Sequence, residues 1–464
     1  MKSDTCYQQC IDPDCGAKLG AGETHIACPK CGELLDVVYD WDRLELPKRL
    51  SDFNRRWASR SNPLDFSGVW RFRELLNFCD DRHRVTIGEG QTLLQRNDGV
   101  GRYVGLREGR LFLQYEGLNP SGSFKDNGMA AAFSHARRVG ARRVACASTG
   151  NTSASLALYA AHAGMQAIVF VGSGRIAFGK LAQALDCGAR TLQIAGDFDA
   201  CMRRVKQAAQ RLGLYLMNSV NPFRLEGQKT IMYRVLEHLG YQAPDWIVAP
   251  GGNLGNSSAF GKAFMELKAL GLIDRVPRLA VINSTGADTL DRLVNAKKLR
   301  WNGGRYDRQA LAADWKWQDD THRLPHTIAS AIEISRPVNT SKCLRALEVC
   351  NGVVRAVPDH LIMDARAQVG RWGLGCEPAS GASVAGARQL VAEGVIGPDE
   401  RVVCILTGHS LKDPEATVGY HTGQWAAGKE VAGERTLANL PIPVADDLEA
   451  ICAAIESAEP TAAR

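Results

Sequence analysis

The sequence contains no apolar run approaching the ~18 uncharged residues of a membrane-crossing helix. Its opening, Met-Lys-Ser-Asp-Thr-Cys-Tyr-Gln-Gln-Cys, has no apolar stretch of the kind a secretion signal carries. Both absences lead to the expectation of a cytoplasmic protein without membrane contact. There is no long lysine or arginine run either, and a formal net charge of +6 is small for 464 residues. Nucleic acid is therefore not implied as a partner, while acidic or phosphorylated small molecules stay compatible. What is present is ordinary globular composition, 45% hydrophobic and 23% charged. At about 150 residues per domain the chain has room for two or three domains.

Cysteine is plentiful but patternless over most of the chain. Of 14 cysteines, nine are scattered singly, several inside β-branched runs, such as Cys146 in Arg-Val-Ala-Cys-Ala-Ser and Cys404 in Arg-Val-Val-Cys-Ile-Leu. These read as reduced core residues. The other five crowd the first 31 positions. Cys10-x4-Cys15 and Cys28-x2-Cys31, joined by twelve residues, have the layout of two knuckles closing on one zinc, and Pro29 with the glycines after Cys15 and Cys31 suits tight turns. Cys6 is a further contender, and a fortuitous cluster is the alternative. Four thiolates leave zinc no open position, so the expected role is structural.

From Leu111 onward, short β-branched runs at 111–115, 143–148, 167–171, 191–195, 246–249, 279–282 and 402–406 alternate with segments of helical spacing such as 152–164 and 199–212. That alternation predicts an α/β fold with mainly parallel sheets. Gly99, Gly101 and Gly105 lack dinucleotide-fingerprint spacing and follow no strand, so they are read as a hairpin-type turn. Ligands of parallel α/β folds sit at the carboxyl ends of strands, and three polar or glycine-rich clusters fall there. Ser148-Thr-Gly-Asn-Thr-Ser153 offers hydroxyls, an amide and a helix start, which suits an anion or carboxylate. Ala249-Pro-Gly-Gly-Asn-Leu-Gly-Asn256 lets the backbone wrap a phosphate, and lacks the Lys-Ser/Thr ending of a nucleotide P-loop. Leu406-Thr-Gly-His-Ser410 closes the last strand.

One further stretch organises the rest. Asn119-Pro-Ser-Gly-Ser-Phe-Lys-Asp126 follows the strand at 111–115, and its turn residues also supply caps for a helix starting near Ser123. Lys125 would stand on that short junction, where the positive helix end lowers an amine's pKa toward the nucleophilic range. A lysine at a helix start, a phosphate cradle without nucleotide features and polar strand ends together describe a covalently held pyridoxal phosphate.

With these residues in view, the chain resembles the fold-type II pyridoxal phosphate enzymes and, within them, the threonine synthases, from Cys10 to about Gly423. The motifs are Asn119-Pro-Ser-Gly-Ser-Phe-Lys-Asp126, Ser148-Thr-Gly-Asn-Thr152, Gly174-Arg-Ile-Ala-Phe-Gly-Lys180, Asn218-Ser-Val-Asn-Pro-Phe-Arg-Leu-Glu-Gly-Gln-Lys229, Gly251-Gly-Asn-Leu-Gly-Asn256 and Cys376-Glu-Pro-Ala-Ser380. The resemblance implies that Lys125 carries the cofactor and then shuttles protons, and that Gly252, Asn253, Leu254, Gly255 and Asn256 hold its phosphate. It also implies that Asn151 bonds the ring hydroxyl, while Thr407 faces the pyridine nitrogen as a neutral hydroxyl with no carboxylate enforcing a pyridinium. Ser148, Thr149 and Thr152 would grip the substrate carboxylate. Asn218, Ser219 and Arg224, assisted by Lys180, would take the phosphate of O-phospho-L-homoserine. The implied reaction loses phosphate from Cγ and adds water at Cβ, giving L-threonine, and a homodimer is expected.

The expected layout is a zinc-ribbon-like segment at 1–40, an arm and the start of the large domain at 41–110, and a mostly small α/β domain carrying Lys125 at 111–225. A large α/β domain with the phosphate loop follows at 226–430, then a partly helical tail at 431–464. The sequence departs from the family at Asn127, where Phe-Lys-Asp-Arg is common, and at Leu93, where a proline is usual. Residues 296–325 match nothing assigned and are read as a surface insertion. Rival readings are a threonine or serine dehydratase, which would not need a second anion site, or a cysteate synthase, both of which would keep the lysine and the glycine loop. A non-enzymatic zinc-ribbon binding protein would not need Lys125 or Thr407. A Ser/Lys hydrolase is disfavoured because Ser121 stands four residues before Lys125, not three.

Overall fold

Every residue of Trp246-Ile-Val-Ala-Pro250 is buried, a pattern met by a strand covered on both faces. The computed structural model of the protein describes residues 5–172, 178–195 and 198–457. Its strands are β1 (Cys6–Cys10), β2 (Lys18–Gly20), β3 (Leu35–Tyr39), β4 (Leu93–Arg96), β5 (Leu111–Tyr115), β6 (Arg143–Ala147), β7 (Gln166–Gly172), β8 (Arg190–Ile194), β9 (Tyr215–Leu216), β10 (Trp246–Pro250), β11 (Arg278–Ser284), β12 (Val353–Val357) and β13 (Val402–Leu406). The seven runs expected from the sequence are all strands. The short β9 and the edge strands β4 and β12 carry too few alternating residues to stand out.

Three sheets result. A six-stranded sheet has the order β12-β11-β10-β13-β5-β4 and is parallel except for β4, which runs antiparallel to β5 at the edge. A parallel four-stranded sheet has the order β8-β7-β6-β9. The N-terminal segment forms a small antiparallel sheet, β2-β1-β3. Leu111–Tyr115, the strand leading to Lys125, thus pairs in the six-stranded sheet, next to β13.

The helices that place functional residues are α1 (Lys125–Arg138), α2 (Asn151–Ala163), α3 (Phe178–Asp186), α4 (Pro222–His238), α5 (Gly255–Ala269), α6 (Thr340–Val349) and α7 (Pro378–Ala392). The helix expected near Ser123 begins at Lys125, because residues 121–124 are used as a turn. Helix α1 packs along α4. Its Ala130, Ala131 and Ala132 are fully buried and keep the two axes close. Helix α4 is buried from Pro222 to Leu236, so it serves as the central post between the sheets.

Two expectations need correction. The glycines read as a hairpin-type turn lie in a helix, Asp98–Val104, capped by the Asn97 carboxamide accepting from Val100 N and ended by Gly105 at φ +95°. The cap and the left-handed terminus decided the conformation over the glycine content. Residues 296–325 are no loose surface insertion. Trp301 and Tyr306 are buried in the largest core cluster, and the segment carries a helix, Arg308–Asp320. It braces the N-terminal sheet: the Tyr306 hydroxyl donates to Glu33 at 2.6 Å, and Arg305 and Arg308 pair with Asp14 and Asp12, each at 2.9 Å.

Strand β3 docks the small sheet on the large domain through buried charge. The Tyr39 hydroxyl donates to Glu226 at 2.6 Å. Lys342 and Arg345 pair with Asp36 at 3.0 and 2.6 Å. Lys229 joins Glu226 and Glu266 at 2.7 and 2.6 Å. Each charge has a partner, which is what makes its burial tolerable. At the other end, the expected C-terminal helix forms at Leu448–Glu456 with Leu448, Ile451 and Ile455 exposed.

Candidate active site

The turn before α1 is built from its own polar side chains. The Asn119 carboxamide accepts from Gly90 N at 2.9 Å and donates to Glu116 at 2.8 Å. Asp126 accepts from the Ser121 N–H at 2.6 Å and from the Ser155 hydroxyl. Glu116 in turn pairs with Arg234 at 2.8 Å, both fully buried, and takes the Asn127 amide at 2.7 Å. Asn127, where the family resemblance led us to look for arginine, is thus a tie between α1 and this buried pair. The turn is also stitched to the end of β13: Phe124 N donates to Thr407 O and His409 N to Gly122 O, both at 2.9 Å.

Lys125 is half-buried along its chain, with its amine over the Phe124 ring at 4.0 Å from the centroid. Desolvation pushes the amine down to about 7, the charge of Arg224 pushes the same way, and Glu377 opposes. An amine near neutrality is poised to act as nucleophile and as base.

Arg224 comes from the first turn of α4, reached through the Asn221 cap and Pro222. It is buried, donates from Nη1 to Met217 O at 2.7 Å, and leaves Nε without a partner among the described residues. Burial lowers it to about 10, partly offset by the nearby Cys146 thiol. A buried cation with an unused donor presents an anion site. Asn218 lies close by in the chain, but its carboxamide is closed on Ala147, accepting from N at 3.1 Å and donating to O at 3.0 Å. Its present bonds therefore extend the ladder at the end of β6. Ser219 is half-buried, and its carbonyl accepts from Asn339 at 3.1 Å. Lys180 lies on α3, but its side chain falls outside the described residues, as do positions 173–177 of its motif.

The cluster after β6 forms the start of α2. Ser148 Oγ accepts from Gly150 N at 3.1 Å, Thr149 is exposed, and Asn151 and Thr152 begin the helix. The first N–H groups of a helix lack intrahelical partners and suit an anion.

After β10, Gly251 through Asn256 turn into α5. Leu254 takes a left-handed conformation at φ +62° just before the helix begins at Gly255. A Cβ on Gly252 would meet the Ala331 carbonyl at 3.0 Å, so the bare backbone is required for the loop to lie this close to its neighbour. Gln228 of α4 donates to Asn256 at 2.6 Å, and Asn339 donates to Asn253 O at 3.2 Å.

Two groups were not foreseen as site residues. Glu377 is buried and accepts from Asn151 at 2.8 Å and from the Thr407 hydroxyl at 2.7 Å, joining the two residues expected to hold the cofactor ring. It stands before Pro378 at a helix start, where an acid reads as a simple cap. Asn339, buried between Ser219 and Asn253, sits in a stretch with no recognisable motif. No single-sequence signal distinguishes it.

At the N-terminus the Sγ atoms of Cys10, Cys15, Cys28 and Cys31 all lie within 4.8 Å of one another, with Cys10–Cys31 at 3.4 Å and Cys15–Cys28 at 3.7 Å. A tetrahedron of Zn–S bonds near 2.3 Å has edges of about 3.8 Å, the same scale. Cys6 is not in this group. Burial pushes the Cys10 thiol up; at Cys28 burial also raises, but the Cys31 and Lys30 N–H groups together with the Cys15 and Cys31 thiols bring it down to about 7.

An amine with a pKa near neutrality, a glycine cradle on a helix start and a further buried guanidinium fit a phosphorylated aldehyde cofactor beside a second anionic group. Comparison with known proteins agrees. Residues 85–408 match the family model described as pyridoxal-phosphate dependent enzyme. A threonine synthase from Methanocaldococcus jannaschii is 41% identical over 412 residues, 89% of this chain and 94% of that protein. One from Methanosarcina acetivorans is 40% identical over 413 residues, 89% and 93%. The crystal structure of threonine synthase from Escherichia coli shares the fold with a TM-score of 0.64, covering 97% of this chain and 99% of that one at 18% identity. The chain belongs to the threonine synthases, within the pyridoxal-phosphate dependent enzymes.

Proposed function

We propose that this protein converts O-phospho-L-homoserine and water to L-threonine and inorganic phosphate. The observation that carries the reading is Arg224, a buried guanidinium whose Nε has no partner among the described residues, in addition to the glycine cradle after β10. A dehydratase acting on serine or threonine needs one phosphate site, for the cofactor; the spare buried donor of Arg224 supports a second anion site.

Gly252, Asn253, Leu254, Gly255 and Asn256 would hold the cofactor phosphate, with Asn151 and Thr407 on the ring. Bound pyridoxal phosphate supplies the electron sink for negative charge at Cα and Cβ. The chain's own residues do the rest. Ser148, Thr149 and Thr152, with the first N–H groups of α2, orient the substrate carboxylate. Lys125, neutral above about pH 7, moves the protons of the reaction, including those taken from Cα and Cβ. Arg224, with Ser219 and Lys180, stabilises the phosphate as the Cγ–O bond breaks and the bonding pair leaves with it. Asn218 fixes the Arg224 side of the cleft by closing on Ala147. Cγ gains a proton, Cβ gains hydroxide from water, and Cα regains its proton, so the sum is substrate plus water giving threonine plus phosphate.

We also infer that Cys10, Cys15, Cys28 and Cys31 bind one structural zinc. The mutual Sγ distances support it, as does the position of the ribbon, remote in role from Lys125 and bolted to α4, α5 and α6 through β3. Four thiolate ligands leave no open coordination position for chemistry.

The test is stoichiometric release of phosphate and formation of threonine from O-phospho-L-homoserine by the purified protein. Deamination of serine or threonine with no turnover of the phosphorylated substrate would replace this reading with the dehydratase one.

A further inference from the structure

Asn339 is 1% exposed and stands at the N-cap position of α6, yet its side chain makes no capping bond. An asparagine there ordinarily accepts from the second or third helical N–H. Here the carboxamide is used elsewhere. Nδ2 donates to Ser219 O at 3.1 Å and to Asn253 O at 3.2 Å, and the backbone N adds a bond to Asn253 O at 3.3 Å. Carbonyl oxygens only accept, so these two bonds fix which end of the amide is which. Oδ1 is left buried without a partner among the described residues. The forgone cap and the unsatisfied acceptor both cost stability. What the position gains is one NH2 group shared between two loops.

Those loops carry the two expected anion sites. Asn253 belongs to the glycine cradle, and Ser219 to the segment that leads into Arg224. The far end of the cradle is held to α4 by the Gln228 bond to Asn256 at 2.6 Å, and the Ser219 segment is held to β6 by Asn218 closing on Ala147. The point that joins them is itself anchored. Lys342, in the first turn of α6, donates to Leu35 O at 2.6 Å and pairs with Asp36 at 3.0 Å, both side chains buried. A planar NH2 with both hydrogens committed sets the separation of the two carbonyls that accept from it.

We infer that Asn339 is a positioning residue that sets the span between the cofactor-phosphate and substrate-phosphate loops, and thereby selects the chain length of the substrate. This rests on the reading above for what the two loops bind. A substrate whose amine reaches the cofactor while its phosphate reaches Ser219 and Arg224 must have the right number of carbons between the two. O-phospho-L-homoserine carries its phosphate on Cγ; O-phospho-L-serine carries it on Cβ and is one methylene short. With the span held, the shorter ester cannot fill both ends at once, which is discrimination by geometry against a competitor of the same charge. With the NH2 group removed, the loops are free to close on it.

Two variants of the full-length protein separate this role from packing. Asn339→Ser and Asn339→Asp each remove the NH2 group, and each introduces a residue favoured at an N-cap, so α6 keeps its start. O-phospho-L-serine is measured as a competitor of O-phospho-L-homoserine at saturating pyridoxal phosphate, and amide hydrogen exchange is followed on the cofactor-free protein. The ratio of the competitor's Ki to the substrate's KM is expected to fall about tenfold or more in both variants, the scale of losing two neutral hydrogen bonds. Exchange is expected to quicken at 218–221 and 251–256 together and to stay as in the parent along α6. An unchanged ratio in either variant, unchanged exchange at either loop, or faster exchange spread through α6 and the ribbon overturns the inference alone. A parent that does not turn over O-phospho-L-homoserine overturns the underlying reading instead.

Discussion

Phe124 N donates to Thr407 O at 2.9 Å, so the residue before Lys125 is hydrogen-bonded to the end of β13. The amine-bearing turn is an extension of the six-stranded sheet and cannot drift from Thr407 without breaking a backbone bond. That rigidity holds the Lys125 turn against the Thr407 backbone, and the consequences can be measured.

Lys125→Ala is expected to abolish both the visible absorbance of bound cofactor and turnover, with the fold retained, since the amine's contact is with the face of its neighbour's ring, Phe124. Far-ultraviolet circular dichroism alongside the visible spectrum checks this. Persistence of the absorbance together with full activity would refute the assignment.

Cofactor-stripped protein should capture pyridoxal phosphate with a rate set by the neutral form of Lys125. Its amine is lowered to about 7 by desolvation and by Arg224. The rate should then rise about tenfold per pH unit below 7 and level off above it. A rate still climbing steeply at pH 9 would mean an ordinary, solvated lysine.

Arg224→Ala is expected to lower kcat/KM for O-phospho-L-homoserine by roughly ten- to a hundredfold or more, the effect of losing a charge-assisted contact of ~1.5–3 kcal/mol. Cofactor absorbance should survive, because α4 supports the glycine cradle through Gln228, which the substitution leaves in place. Inorganic phosphate should compete with substrate in the parent and less well in the variant. Release of cofactor by this substitution would mean that the two anion sites are exchanged.

His135 gives an acid-sensitive element. It stacks on Phe223 at 3.5 Å, with Nδ1 2.7 Å from Tyr215 Oη and Nε2 2.6 Å from Ala21 O. Desolvation lowers it from 6.5 to about 4, against the Ala21 carbonyl and with Arg138. A neutral buried histidine contributes stability that is full above its unfolded value of 6.5 and lost as pH falls toward 4, about 3 kcal/mol over the whole interval. Denaturant unfolding followed from pH 7 to 4 should show that loss, and His135→Gln should flatten it. Parallel curves for the two proteins would contradict the shift.

Elemental analysis should find about one zinc per chain. Cys15→Ser should remove most of it and lower Tm, because the ribbon carries the backbone and carboxylate acceptors of the buried Lys342 and Lys262. Full stability in a metal-free preparation would show that packing alone holds the ribbon.

The sequence by itself determined the elements and much of the chemistry. β-branched runs between turn residues marked the strands from Leu111 to Leu406, because burial on both faces demands uninterrupted apolar residues. The cradle at Gly252, the amine at Lys125 and the paired cysteines were legible because each uses a residue type whose local spacing is itself the physical requirement. Tertiary structure alone decided which strands share a sheet, placing 111–115 beside β13, since pairing partners 291 residues apart leave no local trace. It decided that residues 296–325 brace the ribbon, through Tyr306 and Glu33, and that Asn218 closes on Ala147 while Arg224 keeps a free donor. It also brought Glu377 onto Asn151 and Thr407. In the chain that glutamate is one member of the Cys376–Ser380 motif with no task assigned to it; its place in the site comes from hydrogen bonds to residues 226 positions before it and 30 after.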